Sequence, residues 1–254
     1  MLKVNQIISE WKEGDIHGLE WLRSRGISQR LAYKYFESGY LKKISSGVFV
    51  KANDKINPFA VIRYLQEELK LELHISGKSS LELQGQGHYL QMNEKTKLSL
   101  LSYESRSFPN WLKELNNYEF DLIFKKSSLL NEEKFLTDVK TENGFNMKIS
   151  CRELAILELI DELDLSNSLE TAENYLEYLS TLRPNIVQNI LEECNSVKVK
   201  RVFLYLAEKL ELPFFDKLNL DKINQGKGKR VIVVGGVLDK KYEITVERVE
   251  KVEF

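Results

Sequence analysis

The chain has 254 residues, 43 % of them hydrophobic, with 37 lysines and arginines against 38 aspartates and glutamates for a net charge of −1. That length suits one large or two ordinary domains with ample apolar content for a core. No apolar run reaches the roughly 18 residues a membrane span needs, and MLKVNQIISEWKEGD lacks a signal-peptide core, so a cytoplasmic protein is expected.

Val4, Ile7, Ile8 and Trp11 recur at helical spacing and form an apolar stripe. Gly14-Asp15 breaks the chain, with Asp15 as the expected cap of the next helix. Leu19 and Leu22 supply the buried face of that helix, and Gly26 closes it. In the following helix Ile27, Leu31 and Tyr35 share one face, with Ala32 and Phe36 beside them. Ser28 is its cap, because a hydroxyl can accept from the orphan amides of the first turn. The other face carries Gln29, Arg30, Tyr33 and Lys34, side chains able to donate to bases and phosphates. Gly39 ends the helix where a left-handed residue is needed. Leu41-Lys42-Lys43-Ile44 and Val48-Phe49-Val50 then flank Ser45-Ser46-Gly47, a hairpin signal. Three helices with a glycine turn before the last, followed by a basic hairpin, read as a winged helix-turn-helix. The bland alternative is a small helical bundle with a hairpin and no ligand.

Charge supports the DNA-facing reading. Residues 1–52 hold nine cations and five carboxylates, a net +4, whereas residues 150–182 hold Arg152 against eight carboxylates, a net −7. Such asymmetry points to a basic nucleic-acid face at one end and a different task at the other. A basic patch acts locally through counterion release, so a near-neutral total does not exclude DNA.

The remainder reads as mixed α/β. Asn57-Pro58 opens a helix with a cap and a first-position proline, and Phe59, Ile62, Leu65 and Leu69 line its inner face. Strands are expected at 71–75, 98–103, 120–124 and 145–149, a brief helix at 79–83, a loop at GQGHYL, and a short helical stretch from Pro109. From Ser150 the character turns helical. Ser150-Cys151-Arg152-Glu153 has the capping-box pattern, and helices are expected from there to Leu163, over 169–182, over 186–194 and over 197–210. Strands at 230–234 and 242–246 close the chain.

Two further basic clusters stand out. Lys198, Lys200 and Arg201 lie at a helix start, where cations oppose the helix dipole. Gln225-Gly-Lys-Gly-Lys-Arg230 is a loop whose Lys227, Lys229 and Arg230 and backbone amides suit phosphate, although it is not a Walker motif. Together these six cations are a candidate second basic surface, for DNA or for an antitoxin role; the plain alternative is a solvated turn and a helix face pairing with the acidic stretch. No catalytic constellation appears. His17, His74 and His88 stand without i,i+4 partners, and Cys151 and Cys194 are expected as small buried residues, so no metal, cofactor or catalytic residue is expected.

The chain resembles the AbiEi family of antitoxins, transcriptional regulators of abortive-infection toxin–antitoxin systems. The resemblance is carried in order by GLEWLRSRGISQRLAYKYFESGYLKKISSGVFV (18–50), HISGKSSLELQGQGHYL (74–90), ISCRELAILELI (149–160), LRPNIVQNILEECNSVKVKRVFLYLAE (182–208) and GKGKRVIVVGGVLDKKYEITV (226–246). It implies an N-terminal winged helix-turn-helix, a larger C-terminal antitoxin domain and autorepression through inverted repeats in the protein's own operator. It further implies neutralisation of a co-encoded nucleotidyltransferase-like toxin, AbiEii, without stable contact. Ser45-Ser46 stands where relatives often carry a more basic or glycine-rich tip.

The expected architecture is therefore mixed α+β. A winged helix-turn-helix domain with a helical extension covers 1–95, its core at 1–52. A larger α+β domain with a helical-bundle portion covers 96–254. The expected DNA-binding residues are Arg23, Arg25, Ser28, Gln29, Arg30, Tyr33, Lys34, Lys42, Lys43, Ser45 and Lys51. Arg30 is the candidate for guanine, and Arg23, Arg25, Lys42, Lys43 and Lys51 for phosphates. Double-stranded DNA and the toxin are the expected partners, with no membrane. Two rivals are an interaction module that docks the toxin directly and a nucleotide-binding enzyme using the GKGKR loop.

Overall fold

The computed structural model describes residues 9–85, 96–104, 108–166 and 168–248. Its first unit is β1 (Ile16–Gly18), α1 (Leu19–Ser24), α2 (Gln29–Glu37), β2 (Leu41–Ser45) and β3 (Val48–Lys51). The strands form an antiparallel sheet in the order β1-β3-β2. Local signals set most of this unit. The Ser28 hydroxyl accepts from the Leu31 amide at 3.3 Å. Gly26, Gly39 and Gly47 take φ of +78°, +73° and +77° at the two helix ends and the hairpin tip. Trp11, Leu22, Ile27, Ala32, Leu41 and Phe49 fill the small core. Val4, Ile7 and Ile8 lie outside the described residues.

Two details differ from expectation. Strand β1 occupies Ile16 to Gly18, where the helix capped by Asp15 was expected to begin, because these residues pair with Val50 to Val48. Asp15 caps nothing: α1 starts after Gly18 without a side-chain cap. Asp15 is instead buried against Arg63, 2.9 Å away.

Asn57 caps α3 (Pro58–Arg63) as expected, its side-chain oxygen accepting from the Phe59 amide at 2.9 Å. The helix widens into a π-helical turn at Tyr64–Glu68. Next come β4 (His74–Ile75), α4 (Gly77–Leu83), β5 (Thr96–Ser102), a 3₁₀ stretch (Asn110–Asn117), β6 (Phe120–Lys126), β7 (Leu136–Lys140) and β8 (Asn146–Ser150). These strands form one mixed sheet in the order β6-β5-β4-β8-β7. β4 is antiparallel to β5 and parallel to β8. The core under this sheet joins Ile16, Val50, Ile62 and Leu65 to Leu98, Leu100, Phe120, Met147 and Ile149. GQGHYL falls mostly outside the described residues.

The helical part contains α5 (Arg152–Glu162), α6 (Glu170–Glu177), α7 (Pro184–Glu193) and α8 (Val197–Lys209). α5 is buried nearly all round, as a central helix should be. The capping box does not form. Ser150 Oγ donates to Glu158 at 2.5 Å, and the Glu153 carboxylate takes the Arg183 guanidinium at 2.8 and 2.9 Å. A two-stranded ribbon, β9 (Val237–Asp239) with β10 (Ile244–Val246), closes the fold. The segment expected as a strand at 230–234 contributes only a parallel bridge from Arg230 to Ile244. The whole is α+β. Among the described residues no helix is long and apolar enough to cross a membrane.

Candidate nucleic-acid interface

Helix α2 turns its polar face outward. Gln29, Arg30 and Lys34 are exposed, while Ala32 is buried beneath them. Among the described residues, neither the Arg30 nor the Lys34 side chain has an ion-pair or hydrogen-bond partner. Tyr33 is half-buried, its ring edge-on to Phe49 at 5.7 Å between centroids. The end of α1 and the turn after it add two exposed arginines, Arg23 and Arg25. Arg23 donates to Gln29 Oε1 at 3.1 Å, and Arg25 lies over the Trp21 ring at 3.6 Å. On β2, Lys42 and Lys43 are exposed, their ammonium groups 5.6 Å from the rings of Tyr118 and Phe36 respectively. A bulge between Lys43 and Ser45 bends the strand toward the hairpin tip, where Ser45 is half-buried. The face thus presents exposed cations, none of them paired with a carboxylate closer than the 4.0 Å between Arg25 and Glu10.

Lys51, expected among the phosphate contacts, is already engaged. Its ammonium donates to the Trp11 carbonyl at 3.0 Å and pairs with Asp54 at 3.3 Å, fastening the end of β3 to the preceding chain.

The second basic surface needs a larger correction. Arg201 is 2 % exposed and Lys200 3 %. Arg201 donates from Nε to the Gln225 carbonyl at 2.8 Å and from Nη1 to the Gly228 carbonyl at 2.7 Å and the Glu243 carbonyl at 3.3 Å. It also pairs with the Glu243 carboxylate at 3.4 Å. The GKGKR loop therefore folds its carbonyls inward around a guanidinium instead of offering amides to a phosphate. Its glycines allow this: Gly226 and Gly228 take φ of +68° and +79°. A Cβ on Gly226 would meet Val197 at 2.8 Å. Burial pulls the Lys200 ammonium below its ordinary pKa. Lys198 is half-buried and reaches the Asp161 carbonyl at 3.5 Å. Lys227, Lys229 and Arg230 remain exposed.

Two histidines that looked solitary in sequence sit in buried charge networks; His88 lies outside the described residues. His74 Nε2 is 2.8 Å from Glu158, and its Nδ1 is 3.1 Å from Glu133. Burial would lower its pKa, but the Glu158 charge and the bonds to Glu133 and Glu158 outweigh that and raise it to about 9. Glu158 also accepts from Tyr103, Ser150 and the Gly77 amide. His17 lies 2.6 Å from Glu68 and 3.3 Å from Asp15, which share the Arg63 guanidinium. Burial would raise the Asp15 pKa, but His17 and Arg63 hold it below its ordinary value. The Glu68 partner of His17 and the Glu133 and Glu158 partners of His74 lie 51, 59 and 84 residues away, so no local spacing could reveal them.

An α+β body bearing a cationic helix and hairpin is the class these features define. The chain belongs to the AbiEi family. A model described as "Transcriptional regulator, AbiEi antitoxin N-terminal domain" matches residues 1–92, and one described as "Transcriptional regulator, AbiEi antitoxin, Type IV TA system" matches residues 95–247. Among solved structures, that of the RV2827C protein from Mycobacterium tuberculosis is similar in fold. It has a TM-score of 0.59 at 12 % identity, over 92 % of this chain and 86 % of that one. No curated protein matches the chain.

Proposed function

We propose that this antitoxin-family regulator represses its own operon by seating α2 in the major groove of an inverted-repeat operator, as a winged helix-turn-helix. The division of labour follows the chain. Residues 1–95 face DNA, and 96–254 carry the antitoxin role. Arg30 reads guanine; Gln29, Tyr33 and Lys34 line the groove, with Ser28 at the helix start. Arg23, Arg25, Lys42 and Lys43 hold phosphates, and Ser45 lies at the wing tip. The observation that carries this reading is the exposed, unpartnered Arg30–Lys34 face on a capped helix. A cytoplasmic regulator that opposes a nucleotidyltransferase-like toxin without catalysis completes the proposal. The nucleotide-binding alternative loses support because Arg201 occupies the inward carbonyls of the GKGKR loop.

The test is a salt-titrated gel shift of the protein on the DNA upstream of its gene. Retardation should weaken linearly in log–log form, with a slope near −0.9 per phosphate neutralised. No retardation at low salt would overturn the operator reading. Restored growth on co-expression with the neighbouring toxin gene tests the antitoxin role. Co-purification of the two proteins at physiological salt would favour direct docking instead.

A further inference from the structure

We propose that Trp21 is a positioning residue for DNA binding, holding the Arg25 guanidinium at the entrance to α2 as one plate of a three-layer stack. The inference rests on the operator reading above and adds a residue that no expectation assigned to the site.

Trp21 lies on α1, one turn before the α1–α2 corner. The Arg25 guanidinium carbon is 3.6 Å from the centre of its ring. The His17 ring is 3.5 Å from the same centre and within 11° of parallel. Two groups this close to one ring centre cannot share a face, so the indole is sandwiched between them. A planar guanidinium over an indole face is the favoured form of this contact. The rear plate is fixed in turn. Both nitrogens of His17 meet carboxylates, Glu68 at 2.6 Å and Asp15 at 3.3 Å. Arg63 Nη2 locks those two carboxylates at 3.0 and 2.9 Å. The order is therefore Arg63, the Asp15–Glu68 pair, His17, Trp21, Arg25.

Chemically, the stack constrains a side chain that would otherwise sample many rotamers. An ordered cation loses less conformational entropy on meeting a phosphate. Glu10, at 4.0 Å from Arg25 Nε and more than half exposed, is a weak competitor. Arg23, two residues earlier, bonds Gln29 at 3.1 Å. The corner thus holds two arginines by two different devices, one against a ring and one against the recognition helix.

The experiment is a double-mutant cycle on operator affinity with Trp21→Leu, Trp21→Phe and Arg25→Ala. Trp21→Leu should weaken binding about 2- to 5-fold when Arg25 is present and leave it unchanged in the Arg25→Ala background. Trp21→Phe, which keeps an aromatic face, should retain most of the affinity. Arg25→Ala should lower the salt slope by about one. An equal loss from Trp21→Leu in both backgrounds would mark Trp21 as merely structural and overturn the proposal. Should Trp21→Leu fail to fold, the proton spectrum of the unmodified protein decides: Arg25 Hε must be shifted upfield by the indole ring current, and an ordinary shift overturns the stack. If the unmodified protein fails to retard operator DNA, the operator reading fails. If it retards DNA but the cycle shows no coupling, the stack's role alone fails.

Discussion

The two arginine- and lysine-rich clusters of this chain look alike as text and behave oppositely as structure. On α2 and β2 the cations are exposed, and none of them supplies a donor to a buried carbonyl among the described residues. In α8, Arg201 disappears into the protein and supports a loop by satisfying three carbonyls. The difference lies in what faces each charge. Where the fold turns backbone carbonyls toward a guanidinium, the residue belongs to stability; where it leaves the guanidinium unanswered, the residue is free to meet an anion.

Substitutions can break or sharpen that contrast. The largest effect should come from Arg201→Ala, which removes a large buried side chain and strips three carbonyls of their donor. It should lower the unfolding free energy by about 3–5 kcal/mol. Urea titration would measure that, and a loss below about 1 kcal/mol would erase the distinction between the clusters. Next comes pH. The folded-state pKa of His74 is raised to about 9 from an ordinary value of 6.5. Its contribution is fully present below about 6.5 and is lost as pH rises through about 9. Stability against thermal unfolding should therefore fall by a few kcal/mol between neutral pH and pH 10. In His74→Gln that alkaline loss should shrink, which melting curves of both proteins would reveal.

Arg30→Ala inverts the Arg201 pattern. Its unfolding free energy should stay within about 0.5 kcal/mol of the parent, because the side chain makes no contact that folding needs. Operator affinity should fall by about 1–3 kcal/mol with relaxed sequence preference, as competition gel shifts would report. Unchanged discrimination between operator and unrelated DNA would remove Arg30 from base readout. Ser28→Ala should give the smallest change, about 1 kcal/mol of stability from the lost cap, with a proportionate drop in melting temperature.

Features fixed by neighbours in the chain were legible in the sequence. Ser28, Gly39, Gly47 and Asn57 act through amides or turns within a few residues, and the structure places each as the local pattern requires. Features fixed by distant partners were not. Asp15 resembles a cap until Arg63 arrives from 48 positions away. Glu153 resembles half of a capping box until Arg183 takes both its oxygens. Strands β1 and β9 are three residues long, too short for alternation to register, and exist because β3 and β10 lie beside them. The exposed α2 face followed from helical periodicity, since the apolar side determines the polar one. The burial of Arg201 did not, because a guanidinium enters a core only where carbonyls or carboxylates await it, and those of residues 225, 228 and 243 come from later in the chain.

The position of β4 has a practical consequence. Strand β4 comes from the first third of the chain, yet its neighbours β5 and β8 both come from beyond residue 95. Cutting a gene at the boundary between the two matching family models would leave Ile75 and Leu73 uncovered in one fragment and an open gap between β5 and β8 in the other. Loss of the proposed repression in such a truncation would report a ruptured sheet as much as a missing α2. Dissection of the two roles is better done with surface point variants, or with both fragments supplied together so that they can reassemble.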